Sequence, residues 1–371
     1  MTKRGSHPHR LVTCALVLAT AFGCSSEPLG ATDSGAGGSP ADSGGDTAPV
    51  TLEVLSGVTI SSDPEAEHHQ LAEGDVNFGS AEVERATLRM TLESPCFPFE
   101  GWNELEIPSG HRWPLLCDAF DRGLSLTLDP GDDEGDPPAL ELIRAVTPFG
   151  GPLELEADVT DVVNGLPGPH RMRLRIDTWG DAEGQVSGAR GEWLASVELV
   201  LEPGAAPRRV LEVRPLVYEI QTIADAAELS FVAPDNAGSA RLEYRVTGHG
   251  GAQDFGCLGP AEEFCQRTHE LRLDGELLEL VPWRSDCAAL CTLTVNDGAL
   301  GPQQYCAENP CGAPESVRAP RANWCPGSQT GPLVLDPTTL TIPGEHALRR
   351  SIPDLREGGS WQVSLSYFAF E

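Results

Sequence analysis

Arg171-Met172-Arg173-Leu174-Arg175-Ile176-Asp177 places apolar side chains on one face of an extended chain and charged ones on the other. The period is two, which suits a strand and not a helix. The same alternation ends the chain, where Trp361, Val363, Leu365 and Tyr367 interleave with Gln362, Ser364 and Ser366. Shorter copies run over 88–92, 124–128, 153–155, 195–199, 242–246 and 271–273. Asp274-Gly275, between apolar runs, marks a hairpin turn. No apolar stripe of helical period persists beyond a few turns. Short strands punctuated by Gly and Pro predict an all-β protein built of antiparallel sandwiches or jelly rolls.

The segment EPGAAPRR at 202–209 interrupts the strand pattern and divides the folded part into 51–203 and 208–371. Ahead of it lie two segments that bury nothing. Residues 1–23 read as an export signal, with Lys3, Arg4 and Arg10 preceding a short apolar run from Leu11 to Phe22. That run is too short to remain as a membrane-spanning helix. Ala21-Phe22-Gly23-Cys24 resembles a bacterial lipoprotein signal, which makes Cys24 the expected lipidated residue and the membrane an expected partner through that anchor. Residues 24–50 are rich in Gly, Ser, Asp, Ala and Pro and form an expected flexible tether. The protein is thus expected to be exported and anchored at the cell envelope or surface.

Charge and composition exclude several functions. The formal net charge is −31, and removal of the signal takes away three basic residues and no acidic one. Such a chain is repelled by phosphate backbones, so nucleic acid is not an expected partner. Lys3 is the only lysine, which excludes a Schiff-base lysine or a P-loop lysine from the processed protein. Neither GxSxG nor HExxH occurs. Nine cysteines follow Cys24, and in an exported chain they are expected to form disulfides, with one thiol left over.

Four polar constellations have the residue types that chemistry needs. Cys117-Asp118-Ala119-Phe120-Asp121-Arg122 sets two carboxylates and a guanidinium beside a cysteine that a disulfide can fix. Asp177-Thr178-Trp179 ends the RMRLRID strand, with Asp177 on its polar face. Glu262-Glu263-Phe264-Cys265 is followed by Arg267 and His269, and Arg321-Ala322-Asn323-Trp324-Cys325-Pro326-Gly327 pairs an arginine with an indole. Each alone reads as a surface ion pair or a packed turn.

Taken in order, the four resemble the bacterial peptide-N-glycosidase F family, over roughly residue 78 to the C-terminus. Its CDxWDR motif matches 117–122, its ETW motif 177–179, its CAEWCxRTH motif 263–269, and its DRAGWCPG motif 320–327. The resemblance implies two side-by-side eight-stranded antiparallel jelly rolls with a site between them. It implies hydrolysis of the amide joining N-acetylglucosamine to an asparagine side chain, leaving Asp and releasing a glycosylamine. Asp121 would be the principal catalytic carboxylate, with Glu263 and Asp177 beside it. Arg122, Arg321, Asp118, Trp179 and Trp324 would contact substrate. Cys96–Cys117, Cys257–Cys265 and Cys287–Cys325 would be the disulfides. No cofactor or metal is implied, the partner is an N-linked glycoprotein or glycopeptide, and a monomer is expected.

Departures from the family pattern bear on activity. Asp177 replaces a glutamate and loses about 1.5 Å of reach, while Phe120 and Phe264 replace tryptophans. Gly248-His249-Gly250-Gly251-Ala252 replaces GWGHA, and Cys291, Cys306 and Cys311 lie in an insertion. These changes motivate an alternative, a glycan-binding lipoprotein that retains the cleft without catalysis. A copper-dependent monooxygenase, also built on paired jelly rolls, is a third reading. Its ligands would have to come from seven histidines after the signal, with no His-x-His pair among them.

Overall fold

A computed structural model describes residues 48–96, 105–131, 133, 136–251, 256–259, 261–298 and 301–371. The expected export signal, Cys24 and nearly all of the tether fall outside these residues, as does Ala252. Thr47–Glu371 forms one compact unit.

The alternating sequences fold as their period requires. Met172, Leu174 and Ile176 are buried in a core, while Arg171 and Arg173 pair with Glu73 and Arg175 with Asp177. Eight strands come first: β1 (Val50–Ser61), β2 (Leu71–Asn77), β3 (Val83–Glu93), β4 (Gly123–Leu128), β5 (Leu140–Val146), β6 (Leu153–Asp158), β7 (Pro169–Ile176) and β8 (Glu192–Pro203). A short helix, α1 (Thr160–Gly165), precedes β7. One sheet has the order β1-β8-β3-β6, and the facing one runs β5-β4-β7-β2. Gly74 in β2 is required by this packing, since a Cβ there would lie 2.2 Å from the Val54 carbonyl oxygen of β1.

The rest of the chain repeats that topology. Its strands are β9 (Val210–Gln221), β10 (Leu229–Ala233), β11 (Ser239–Gly250), β12 (His269–Leu273), β13 (Glu276–Leu280), β14 (Leu293–Gly298), β15 (Gly301–Cys306), β16 (Ser328–Gln329), β17 (Leu333–Leu335), β18 (Gly344–Ser351) and β19 (Gly359–Phe370), with α2 (Pro314–Arg318) before β16. The sheets run β9-β19-β11-β17 and β13-β12-β18-β10, the same orders as in the first roll when strands are matched in sequence. The fold is therefore two antiparallel jelly rolls. Asp274 and Gly275, with φ of 51° and 88°, form the expected hairpin turn between β12 and β13.

A side-chain clasp is also duplicated. His170 meets Asp129 through Nδ1 at 2.6 Å and the Leu166 carbonyl through Nε2 at 2.7 Å. His346 does the same with Asp274 at 2.7 Å and the Ile342 carbonyl at 2.8 Å. Both aspartates have positive φ, and a phenylalanine ring, Phe78 or Phe231, lies against each imidazole.

The rolls share more than a linker. All seven residues of β5 are buried, including Glu141 and Arg144, where alternation would put a solvent face. Their cover is the second roll: Arg144 donates to the Arg245 and Gln362 carbonyls, and Ser364 Oγ donates to Glu141. Strand β16 extends the first roll's sheet by pairing with β5, and Phe368 and Phe370 pack into the first core.

Candidate active site

Two loops, one from each roll, carry the candidate carboxylates, and each is fastened by a disulfide and a buried acid. In the first, Cys96–Cys117 fixes the start of the CDAFDR turn. Asp118, fully buried, accepts from Arg122 through Nε at 2.8 Å and Nη2 at 2.6 Å, from Thr178 Oγ1 at 2.7 Å and from the Trp193 indole at 3.3 Å. In the second, Cys257–Cys265 closes a loop around the 3₁₀ turn Glu262–Phe264. Glu262, also fully buried, accepts from Arg267 Nε at 2.9 Å and Nη2 at 2.8 Å and from the Trp361 indole at 2.9 Å. A buried charge is tolerated only when so paired. Such pairing also fixes the loop that carries it.

Beside these anchors the reactive groups converge. Asp121 is partly buried, and its carboxyl is pushed up to about 7. Burial is the main cause; the Arg321 guanidinium opposes it, the Glu263 carboxylate adds to it, and Arg122 opposes it. Asp121 in the first roll thus lies in the field of both Glu263 and Arg321 from the second. Glu263 accepts from Arg321 Nη1 at 2.7 Å, and its carbonyl accepts from the Ala322 amide at 2.7 Å.

Each arginine lies against two aromatic rings. The Arg122 guanidinium is 4.5 Å from the Trp179 ring centroid and 5.2 Å from that of Phe120. Arg321 is 4.7 Å from Phe264 and 4.4 Å from Trp324. Such stacking favours guanidinium over ammonium, in keeping with a chain whose one lysine is Lys3. Arg321 Nη2 donates to the Ser316 carbonyl and hydroxyl on α2, while its buried Nε has no hydrogen-bond partner among the described residues. His249 stacks on Trp324 at 5.3 Å and is pushed down to about 4, mainly by burial and then by Arg144 and Arg321.

Residues 218–368 match the family model described as peptide-N-glycosidase F, C terminal. The fold is similar to that of PNGF-II, with a TM-score of 0.65 and 18% identity, covering 86% of this chain and 65% of that one. It is similar to recombinant peptide:N-glycanase F (TM-score 0.64, 18% identity, 87% and 96% covered). It is also similar to PNGase F, a glycosylasparaginase from Flavobacterium meningosepticum (TM-score 0.61, 17% identity, 88% and 96% covered). The chain has a PNGase F-like fold. It spans about two thirds of PNGF-II, at 65% of that chain. No curated protein sequence matches it.

Burial corrects two expected substrate contacts, Asp118 and Trp324, and leaves Arg122 and Arg321, 4% and 1% exposed, to act on the site through their charge. Asp118 has no exposed surface, so it positions the turn and does not reach a ligand. Trp324 is 2% exposed, with His249 and Arg321 against its rings and its indole donating to the Gly248 carbonyl. It supports Arg321 and offers no face to a sugar. Trp179, 44% exposed, keeps such a face. Asp177 stands at the rim: its amide donates to the Gly123 carbonyl, and its carboxylate accepts from Arg175 at 2.7 Å.

The expected disulfides Cys96–Cys117, Cys257–Cys265 and Cys287–Cys325 are all present. In the insertion Cys291 joins Cys306 across the base of the β14–β15 hairpin, leaving Cys311 as the free thiol among the described residues. Cys311 lies against the Cys96–Cys117 bridge, and burial pushes its thiol up to about 12, which suppresses the reactive thiolate. Sequence reading missed Trp193, Trp361 and Ser316, because their importance comes from where distant strands bring them. It quoted Glu262 without assigning it a role; a doubled acid beside a cysteine was the available signal.

Proposed function

We propose that the chain hydrolyses the N-acetylglucosamine–asparagine amide of N-linked glycoproteins or glycopeptides. The observation that carries this reading is the field shared by Asp121, Glu263 and Arg321. Asp121, poised near neutrality, accepts a proton from a water as that water's oxygen attacks the side-chain carbonyl carbon. Arg321 and Arg122, buried beside the carboxylates, lend positive potential to the negative charge developing on the carbonyl oxygen. Collapse breaks the C–N bond as Asp121 returns its proton to the nitrogen, which leaves as the glycosylamine while the peptide keeps an aspartate. Glu263, held by Arg321, raises the basicity of Asp121 and faces the substrate. Two loops fixed by disulfides and buried ion pairs keep these groups preorganised.

The test is incubation of the purified chain with a fluorescent N-glycopeptide. An Asn-to-Asp mass shift, abolished in Asp121→Asn, supports the reading. Activity that persists in Asp121→Asn removes the mechanism. The engagement of Asp177 with Arg175 favours the second reading, a glycan-binding protein without catalysis; glycopeptide binding with no mass shift at high protein concentration would establish it.

We also propose that the protein is exported and lipid-anchored through Cys24. Four disulfides support an oxidising compartment. Detergent-phase partitioning that survives Cys24→Ser would defeat the anchor.

A further inference from the structure

Beside Asp177 a cavity of about 480 Å³ opens between the outer face of β4 and β7 and the β9 edge of the second roll. Its Asp177 end lies beside the strand that follows Asp121 in sequence: a Cβ built on Gly123, two residues after Asp121, would lie 3.2 Å from Asp177 Oδ2. From Asp177 the wall continues over Arg175, then Ser125 and Tyr218, whose hydroxyls meet at 2.8 Å. The far side is formed by Ile220 and Gln362, which are cross-strand partners on β9 and β19. Ile220 is 67% exposed, and Pro137 and Pro138 add further apolar surface.

We infer that this cavity holds neutral sugar rings of the glycan that lie beyond its chitobiose. The inference rests on the amidase reading. An Asn-linked glycan held at Asp121 must continue outward, and the cavity begins at the rim of that site. Its chemistry matches a polyol: planar carboxylate, guanidinium and amide groups can exchange paired hydrogen bonds with vicinal hydroxyls, while Ile220 and the prolines face ring C–H surfaces. Charge selects among sugars. Glu219 is paired with Arg350, and Arg173 and Arg175 stand against Asp133, Asp136 and Asp177, an acidic balance that disfavours sialylated or phosphorylated glycans. The volume falls within the range of about 300–1,000 Å³ typical of small-ligand sites.

The experiment compares the full chain with Gln362→Ala and Ile220→Glu, neither of which alters the carboxylate cluster. Two glycopeptides are hydrolysed, one bearing chitobiose alone and one bearing a neutral high-mannose glycan, and the free high-mannose oligosaccharide is titrated calorimetrically. For the high-mannose peptide, KM should rise about tenfold in each variant with kcat unchanged. The chitobiose peptide should be hydrolysed as by the wild type, and binding of the free oligosaccharide should weaken in parallel. Equal kinetics on both peptides in wild type and variants would overturn the sugar site while leaving the amidase intact. No hydrolysis of either peptide by the wild type, with oligosaccharide binding that the variants weaken, would overturn the amidase and leave the sugar site standing. Wild type that binds no free oligosaccharide and shows no KM difference would end the inference.

Discussion

The Glu263 carboxylate raises the proton affinity of Asp121 across the boundary between the two rolls, while Arg321 bonds Glu263 and opposes the shift. Each group therefore adjusts the others. Asp121 must be ionised to act as a base, so kcat/KM should rise with pH through a limb near 7. Glu263→Gln removes a like charge and should move that limb to lower pH; Arg321→Gln removes an opposing charge and should move it upward. A pH–rate profile of the three proteins checks this. A limb that stays fixed in both variants would show that Asp121 does not set it.

The same perturbation predicts a stability trade-off. In the folded protein Asp121 titrates near 7, above its ordinary 3.8, so the folded state holds the extra proton between those values. Stability from this group is present at low pH and is lost as pH rises across that window. Asp121→Asn removes the loss. The variant should melt at higher temperature than the wild type at pH 8, with the difference vanishing below about pH 4. Thermal melts across that range test it, and a variant less stable at pH 8 would contradict it.

Asp118 and Glu262 should behave as positioning residues. Removing either carboxylate takes the paired anion from a buried guanidinium, Arg122 or Arg267. Breaking such a pair costs about 3–5 kcal/mol. Asp118→Ala and Glu262→Ala should each show that loss in denaturant unfolding. Asp118→Asn and Glu262→Gln, which keep the shape and some hydrogen bonds, should recover part of it. Losses under about 1 kcal/mol in the alanine variants would mean that neither pair anchors its loop.

The strands were legible because one face of each is buried and the other wet, as in Met172, Leu174 and Ile176. The rule failed at β5 and β19, where Glu141, Arg144, Ser364 and Ser366 are buried despite their polarity. Those residues face the other roll, and no local pattern encodes which outer face will be covered. The duplicated clasp was hidden for a related reason: Asp129 and His170 meet only through strand pairing. At the site, the motifs located Asp121 and Glu263 but could not separate residues that reach solvent from residues that hold them, as Asp118 and Trp324 show. Asn323 was legible only in hindsight. It stands where the family motif has glycine and adopts φ 66°, a left-handed conformation that asparagine tolerates better than most residues.

The interlocked boundary predicts that the two rolls depend on one another. A fragment ending near residue 203 would lack β16, Phe368 and Phe370, and would expose the buried Glu141–Arg144 pair. A fragment beginning at residue 208 would leave the cover of Ser364 and the Arg245 carbonyl unmade. Buried polar groups without partners cost about 1–3 kcal/mol each, and several occur on this one surface. Each fragment expressed alone should therefore unfold at lower temperature than the whole chain and bind a hydrophobic dye. Mixing the two should restore a sharper transition if the faces still recognise one another. Fragments as stable as the intact protein would show that the buried pair and the β16 addition contribute little to either roll.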